Sequence, residues 1–380
     1  MSRAGELRDC PHERHAGPRA ARAAGNGRVG VRRRGTVRRL LTGLFVLALL
    51  PLSANAERSA VDGFVASSRA ESGVVDGLFA SAKIGRAEPG AVDGFVAAAR
   101  ALAADVETGP LTNGLHYFAS NERDLDLVAD AVSGLGEVVV AVAADPGYIL
   151  AAWADARALV LIDLDPAIVA LHRIYAAFFT AAASPAEFSR LWTPAGEAEA
   201  RALVEAAGGA ELLEIFTAAR PTVARRFAEL ERHMAAKGRP WLLSDATLYA
   251  RVAGLVRAGR VVALRGDFTR AGTVAGIGEA LRAAGLRVGL LYLSNIEQYF
   301  LYTPEFRENV QGLPLAGGQV LRTLPGRPAG FEYILQQGGQ FQAWAAHPKV
   351  RSVYRIRGFK KGEHLVSRRV YVVDPSRAPP

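Results

Sequence analysis

Two short, continuous apolar runs, residues 137–143 (EVVVAVA) and 158–163 (ALVLID), are bounded by turn residues. That pattern predicts strands buried on both faces of a parallel sheet. Between them Asp145-Pro146-Gly147 turns the chain, and residues 148–156 read as a helix. Asp165 and Pro166 open the next helix, as N-cap and first helical residue. Ile168, Leu171, Ile174, Tyr175 and Phe178 then follow at helical spacing. The alternation resumes with a strand at 260–265 (RVVALR), a helix at 275–284 and a strand at 287–293 (RVGLLYL). Repeated βα units predict an α/β fold with a doubly wound, Rossmann-like sheet.

The alternation is interrupted by segments with helical periodicity and few β-branched residues, at 185–192, 196–207, 211–219 and 221–236. They predict a helical insertion over about 184–240, packed over the sheet and a candidate lid. Ser244 is the expected cap of a helix through Leu248, Val252 and Val256, which ends at Gly259. Residues 320–324, 331–337 and 353–358 read as closing strands, some of them antiparallel. The α/β domain is thus expected over 106–380.

The start of the chain has a different pattern. Arg32-Arg33-Arg34 and Arg38-Arg39 precede an apolar run from Leu40 to Leu52, followed by Ala54-Asn55-Ala56. Basic, apolar and small residues in that order resemble a secretory signal, which makes 1–56 a signal-peptide region with an over-long start. The run is short for a membrane span, which takes about 20 residues. The expectation is an exported, periplasmic or secreted protein, with an uncleaved inner-membrane anchor as the alternative. Residues 57–105 are rich in Ala, Gly, Ser and Val and hold a near-repeat beginning at Val61, Val75 and Val92 (VDGFVA, VDGLFA, VDGFVA). They read as a mostly disordered linker; the alternative is a set of short helices that present Phe anchors to a partner.

Charge changes the picture less than the total of +9 suggests. The first 56 residues carry eleven arginines against three acids, which leaves 35 basic and 34 acidic residues in the rest. The body has no field that would collect phosphates, so nucleic acid is not an expected partner. The single cysteine, Cys10, lies in the leader, so the body has no disulfide and no thiolate chemistry. His116, His172, His233 and His347 are scattered, and no metal site is expected. There is no phosphate-binding Walker loop and no Gly-x-Ser-x-Gly nucleophile turn. Oligomeric state is not legible.

Ligands of open α/β sheets sit outside the carboxyl ends of the strands. Those ends carry Asp145, Asp163, Asp267, Ser294, Asn295 and Glu297, an unusually polar set. A carboxylate after the second strand suits the vicinal hydroxyls of a ribose, and Gly266-Asp267 after the third suits an adenine amino group. A small-molecule ligand is therefore the expected partner. Capping is the competing role for each acid, plainly so for Asp165.

The stretch LIDLDPAIVALHR resembles the second-strand motif of class I S-adenosylmethionine-dependent methyltransferases, an acid followed by two residues, then Pro and a helix. Gly147 precedes Asp163 by sixteen residues, close to that family's interval from the last glycine of its first loop. The loop itself departs from the family, with Ala143-Ala144-Asp145-Pro146-Gly147 holding one glycine where three are usual, and Ala141 where the first strand has an acid. Residues 108–312 also resemble an uncharacterised bacterial family with a methyltransferase-like fold. Its matches are Ser120-Asn121-Glu122, the Asp145 turn, Ser244-Asp245, Gly266-Asp267-Phe268 and YLSNIEQYF from Tyr292 to Phe300. That family usually keeps a glycine in the first loop where this chain has alanine. The methyltransferase resemblance implies an S-adenosylmethionine-binding protein of unknown substrate, whereas the resemblance to the uncharacterised family implies the fold and no reaction. Asp145, Gly147, Asp163, Asp267 and Ser294 would face the cofactor, and Asn295, Glu297 and Tyr299 would carry the chemistry. Glu297 and Tyr299 would serve as acid and base, while Asn295 would orient an amine through its carbonyl oxygen. Ile296, Tyr299 and Phe300 read as core rather than as cofactor contacts. The alternative reading is an exported, non-catalytic binding or scaffold protein that retains the fold.

Overall fold

The computed structural model describes residues 89–105, 111, 114–326, 330–358, 365–367 and 369–379. The leader and the first two Val-Asp-Gly copies lie outside them. The elements, in order, are α1 (Pro89–Arg100), α2 (Ala129–Val132), β1 (Val138–Val142), α3 (Asp145–Ala154), β2 (Ala158–Asp163), α4 (Pro166–Ala181), α5 (Pro185–Leu191), α6 (Glu197–Ala236) and α7 (Ala246–Arg257). There follow β3 (Val261–Arg265), α8 (Thr273–Ala283), β4 (Val288–Tyr292), α9 (Pro304–Gly312), β5 (Gln319–Pro325), β6 (Phe331–Gln337), α10 (Gly338–Ala346), α11 (Val353–Gly358), β7 (Leu365–Ser367) and β8 (Val370–Val372).

One eight-stranded sheet runs β3-β2-β1-β4-β5-β6-β8-β7. The pairs from β3 through β5 are parallel, β6 is antiparallel to β5, and β7 is antiparallel to β8. The first six positions follow the order of doubly wound nucleotide-binding sheets, with the reversal of direction between β1 and β4. The central strands are buried on both faces, as continuous apolar runs require. Val139 and Ala141 join one core with Tyr148, Leu171, Phe178, Trp192 and Phe216. Val138, Val140 and Val142 join the other with Phe95, Ile277, Phe306 and Phe341. Alternate residues of β1 thus tie the two helical layers together. Among the described residues no helix is long and apolar enough to cross a membrane.

Four expectations need correction. The third Val-Asp-Gly copy is not linker: it forms α1, whose Val92, Phe95 and Ala99 are almost fully buried. This helix packs on β3 and α8, with Arg100 donating to the Gly259 carbonyl at 2.7 Å and Asp93 paired with Arg260 at 2.9 Å. The domain therefore begins by Pro89 rather than near 106. Residues 353–358 are a helix, not a strand, because Val353 and Ile356 are buried while Tyr354 and Arg355 are exposed. Burial at i and i+3 is helical, whereas a strand would bury alternate residues. The helix after residue 244 is capped by Asp245, which accepts from the Thr247 and Leu248 amides; Ser244 instead accepts from the Trp241 amide. The insertion breaks at Gly208–Gly209, where Gly209 takes a positive φ, and continues through Pro221 without a new start.

Phe95→Ala is expected to cost about 3–5 kcal/mol by opening a core cavity. For a domain of this size that lowers the melting temperature by on the order of 10 °C. Calorimetry of the full chain checks it; an unchanged melt would mean that α1 is not part of the folded unit.

Candidate functional site

The carboxyl ends of β1, β2, β3 and β4 open into one crevice of about 400 Å³, within the range of small-molecule sites. Its walls are Ala143 after β1, Asp163 to Asp165 at β2, Gly266 to Thr269 after β3, and Ser294 to Ile296 with Tyr299 and Phe300 after β4. The remaining wall comes from the segment before β1, including Leu115, Tyr117, Ser120 and Asn121. Two non-glycine residues here hold positive φ, Ala143 at 74° and Ser294 at 48°. They stand at the ends of β1 and β4, the two strands that flank the reversal. Backbone strain of this kind persists only where the surroundings over-determine it, and it clusters at ligand sites.

Each wall is held by identifiable contacts. Asp163 Oδ1 accepts from the Asp165 amide at 2.9 Å, and Asp165 caps α4 by accepting from Ala167 N at 2.9 Å. His116 lies 2.8 Å from the other Asp165 oxygen and so ties the segment before β1 to α4. Burial pushes the Asp163 carboxyl up to about 7; the Asp165 amide opposes that shift, and the Asp165 charge adds to it. At β3, Asp267 Oδ1 accepts from both the amide and the hydroxyl of Thr269, a local turn rather than a helix cap. Asp105 accepts from the Asp267 and Thr273 amides, and Asn309 donates to the Phe268 and Arg270 carbonyls. At β4, the Ser294 carbonyl accepts from Thr323 N at 2.7 Å.

Of the residues singled out in sequence, Asp163, Asp267, Ser294, Asn295 and Tyr299 come together on the crevice wall. Tyr299 is 58% exposed rather than core. Ser294 lines the wall, but its hydroxyl donates to Glu122 at 2.8 Å. Three others do not line the crevice. Asp145 is buried, with Oδ1 accepting from Ser120 N at 2.7 Å and Oδ2 paired with Arg226 Nε at 2.9 Å. Gly147 faces the core, where a Cβ would lie 2.5 Å from Leu161; its value is close packing of helix on strand. Glu297 is buried in an ion pair with Arg322 at 2.8 Å and accepts from the Tyr302 hydroxyl. Burial pushes the Glu297 carboxyl up and Arg322 pulls it back. It is held behind the wall and cannot reach a ligand as acid or base. The insertion contributes no wall residue among those described.

Two residues that organise the site had gone unassigned. Glu122 is buried, and its carboxylate accepts from the hydroxyls of Tyr292, Ser294 and Thr323, which joins the segment before β1 to the ends of β4 and β5. Burial raises its carboxyl, against the pull of those three donors and of Arg226. Arg226, on α6, is 4% exposed and also donates to the Glu122 carbonyl at 2.6 Å. Its signal was an arginine on the apolar stripe of Val223, Phe227 and Leu230. Elsewhere the fold gathers Asp124, Asp126 and His233 with ligand atoms within 4.8 Å. These groups already have partners: His233 Nε2 lies 2.6 Å from Asp126 Oδ1, and Arg369 pairs with Asp124 at 2.6 Å.

A family model described as Domain of unknown function (DUF7790) matches residues 117–367, a span that holds β1 to β7 and the crevice walls from Tyr117 onward. No curated protein matches the chain.

Breaking the buried pair from one side leaves the other charge uncompensated. Arg226→Met is expected to destabilise the chain by about 3–5 kcal/mol in urea unfolding. Adding Asp145→Asn to it is expected to recover part of that loss. Additive losses would show that the two side chains do not act as a pair.

Proposed function

The chain belongs to the DUF7790 family, and from the crevice in this domain we propose that it binds an adenosyl ligand of the S-adenosylmethionine type, on a class I methyltransferase-like sheet. The observation that carries the proposal is the Asp163 carboxylate at the end of β2, on the wall of a crevice at the strand reversal. A carboxylate there accepts from both hydroxyls of a ribose. Asp267 and Phe268 at the end of β3 offer an acceptor and an apolar surface to a purine. Asn309 and Asp105 fix that turn before any ligand arrives, so little ordering cost falls on binding. Ala143 and Ser294, in left-handed turns at the ends of β1 and β4, both line the crevice. When bound, S-adenosylmethionine supplies an electrophilic methyl group. Asn295 and Tyr299, on the same wall, are the polar side chains placed to orient what meets it.

One specific observation favours a second reading, that of a binding protein without transfer. Glu297, one half of the Glu297–Tyr299 acid–base pair that the sequence suggested, is consumed by the buried Arg322, so the crevice lacks that pair. Export to the periplasm or beyond remains a proposal resting on the leader, and it fits this second reading. Mass spectrometry of exported protein should find Glu57 at the N-terminus; a membrane-bound product retaining Leu40 to Leu52 would contradict it.

Calorimetric titration of the full chain with S-adenosylhomocysteine tests the proposal. Asp163→Ala should weaken binding by about 1.5–3 kcal/mol through loss of charge-assisted bonds. The free Asp163 carboxyl titrates near pH 7, and the ribose selects its charged form. The association constant should therefore fall about tenfold per pH unit below 7 and level off above it, with a proton released on binding at low pH. A flat pH profile, or equal affinity of Asp163→Ala and the parent, would overturn the adenosyl reading.

A further inference from the structure

Five large apolar side chains stay exposed among the described residues: Leu115, Tyr117, Tyr299, Leu301 and Tyr354, between 47% and 59% accessible. Three of them line one site, and the other two lie on segments that adjoin it. Leu115, Tyr117 and Tyr299 line the crevice, and Leu301 follows Phe300 of its wall. Tyr354 lies on α11, which packs against the turn Ile296–Gln298 beside Tyr299. Exposed apolar residues scattered singly need no explanation, but a cluster at the mouth of a crevice marks a contact surface.

The area limits what can occupy that surface. An aromatic side chain buries about 150–250 Å² in full, so five half-exposed side chains offer on the order of 500 Å². A stable protein interface uses about 800 Å² on each partner. The rim is too small to dimerise the chain and continuous with a small-molecule crevice. Tyrosine faces favour offset stacking with another flat ring. The acids Asp163, Asp165 and Asp267 along the inner walls disfavour an anion. The amide of Asn295, on the same wall as Tyr299, offers hydrogen bonds to a polar substituent.

We propose that this rim is the subsite of a second small molecule, one with a flat aromatic ring bearing a hydroxyl or amine and no negative charge. The ring stacks against Tyr117 and Tyr299 at the mouth, and its substituent points to Asn295. The assignment of this molecule as the partner of an adenosyl ligand rests on the reading of the crevice given above; the stacking itself does not.

The test uses the full chain and 2-naphthol, titrated by saturation-transfer NMR and calorimetry with and without S-adenosylhomocysteine. The parent should bind 2-naphthol, and its saturated counterpart 2-decalol at least tenfold more weakly. Tyr117→Ala combined with Tyr299→Ala should weaken 2-naphthol at least tenfold, whereas Phe at both positions should retain stacking. Both tyrosines are about half exposed, so the substitutions leave the core untouched. No binding to the parent, equal binding to the Ala pair, or equal binding of 2-decalol would overturn the subsite. A concentration-dependent dimer in sedimentation that the Ala pair abolishes would also overturn it, by making the rim an interface between copies. S-adenosylhomocysteine titrated alone into the parent reports on the crevice floor, so failure of the rim and failure of the adenosyl reading are separate results.

Discussion

The buried pair between Asp145 and Arg226 holds three parts of the molecule in register. One carboxylate oxygen fixes the segment before β1 through Ser120 N, and the other fixes α6 through Arg226, which also grips the Glu122 carbonyl. A buried ion pair adds little net stability over a well-packed apolar alternative. Its consequence here is geometric. The turn after β1, the wall of the crevice and the helical insertion cannot move independently while both charges are out of water. The insertion is thereby a brace behind the site.

Glu122 extends that constraint across the switch point. Its three hydroxyl donors lie at the ends of β4 and β5, and one of them belongs to Ser294, a residue in a left-handed turn. The strained positions at Ala143 and Ser294 thus sit over a fully bonded carboxylate network, which is the setting in which strain can persist. On the far side of the sheet, Asp105 and Asn309 brace the turn after β3 in the same manner. The crevice is framed by groups that satisfy one another, and Asp163 stands out on its wall as an acid whose burial, only partly offset by backbone amides, pushes its carboxyl up to about 7.

Much of this frame was legible in the chain. The apolar runs of β1 to β4 and the Asp165-Pro166 start of α4 read directly, because a buried parallel strand and a capped helix each impose a local pattern. The meeting of Asp163 with Asn295 followed from topology, since a doubly wound sheet brings its strand ends to one edge. What could not be read was pairing over long sequence distances. Asp145 and Glu297 looked like site acids because their arginines, Arg226 and Arg322, lie far away or in another element. Residues 353–358 looked like strand because a six-residue stretch with alternating apolar positions fits either period. The α1 helix was missed for a different reason: its Ala- and Gly-rich composition hides an i, i+3, i+4, i+7 stripe of Val92, Phe95, Val96 and Ala99 that its two upstream near-copies made look like low complexity.

A crystal structure of the full chain grown with S-adenosylhomocysteine tests the central claim most directly. The account predicts the ligand in the crevice between β1 and β4, with both ribose hydroxyls on the Asp163 carboxylate, the purine beside Phe268 and the sulfur end toward Asn295. An empty crevice at saturating ligand, or a ligand held elsewhere on the domain, would contradict it.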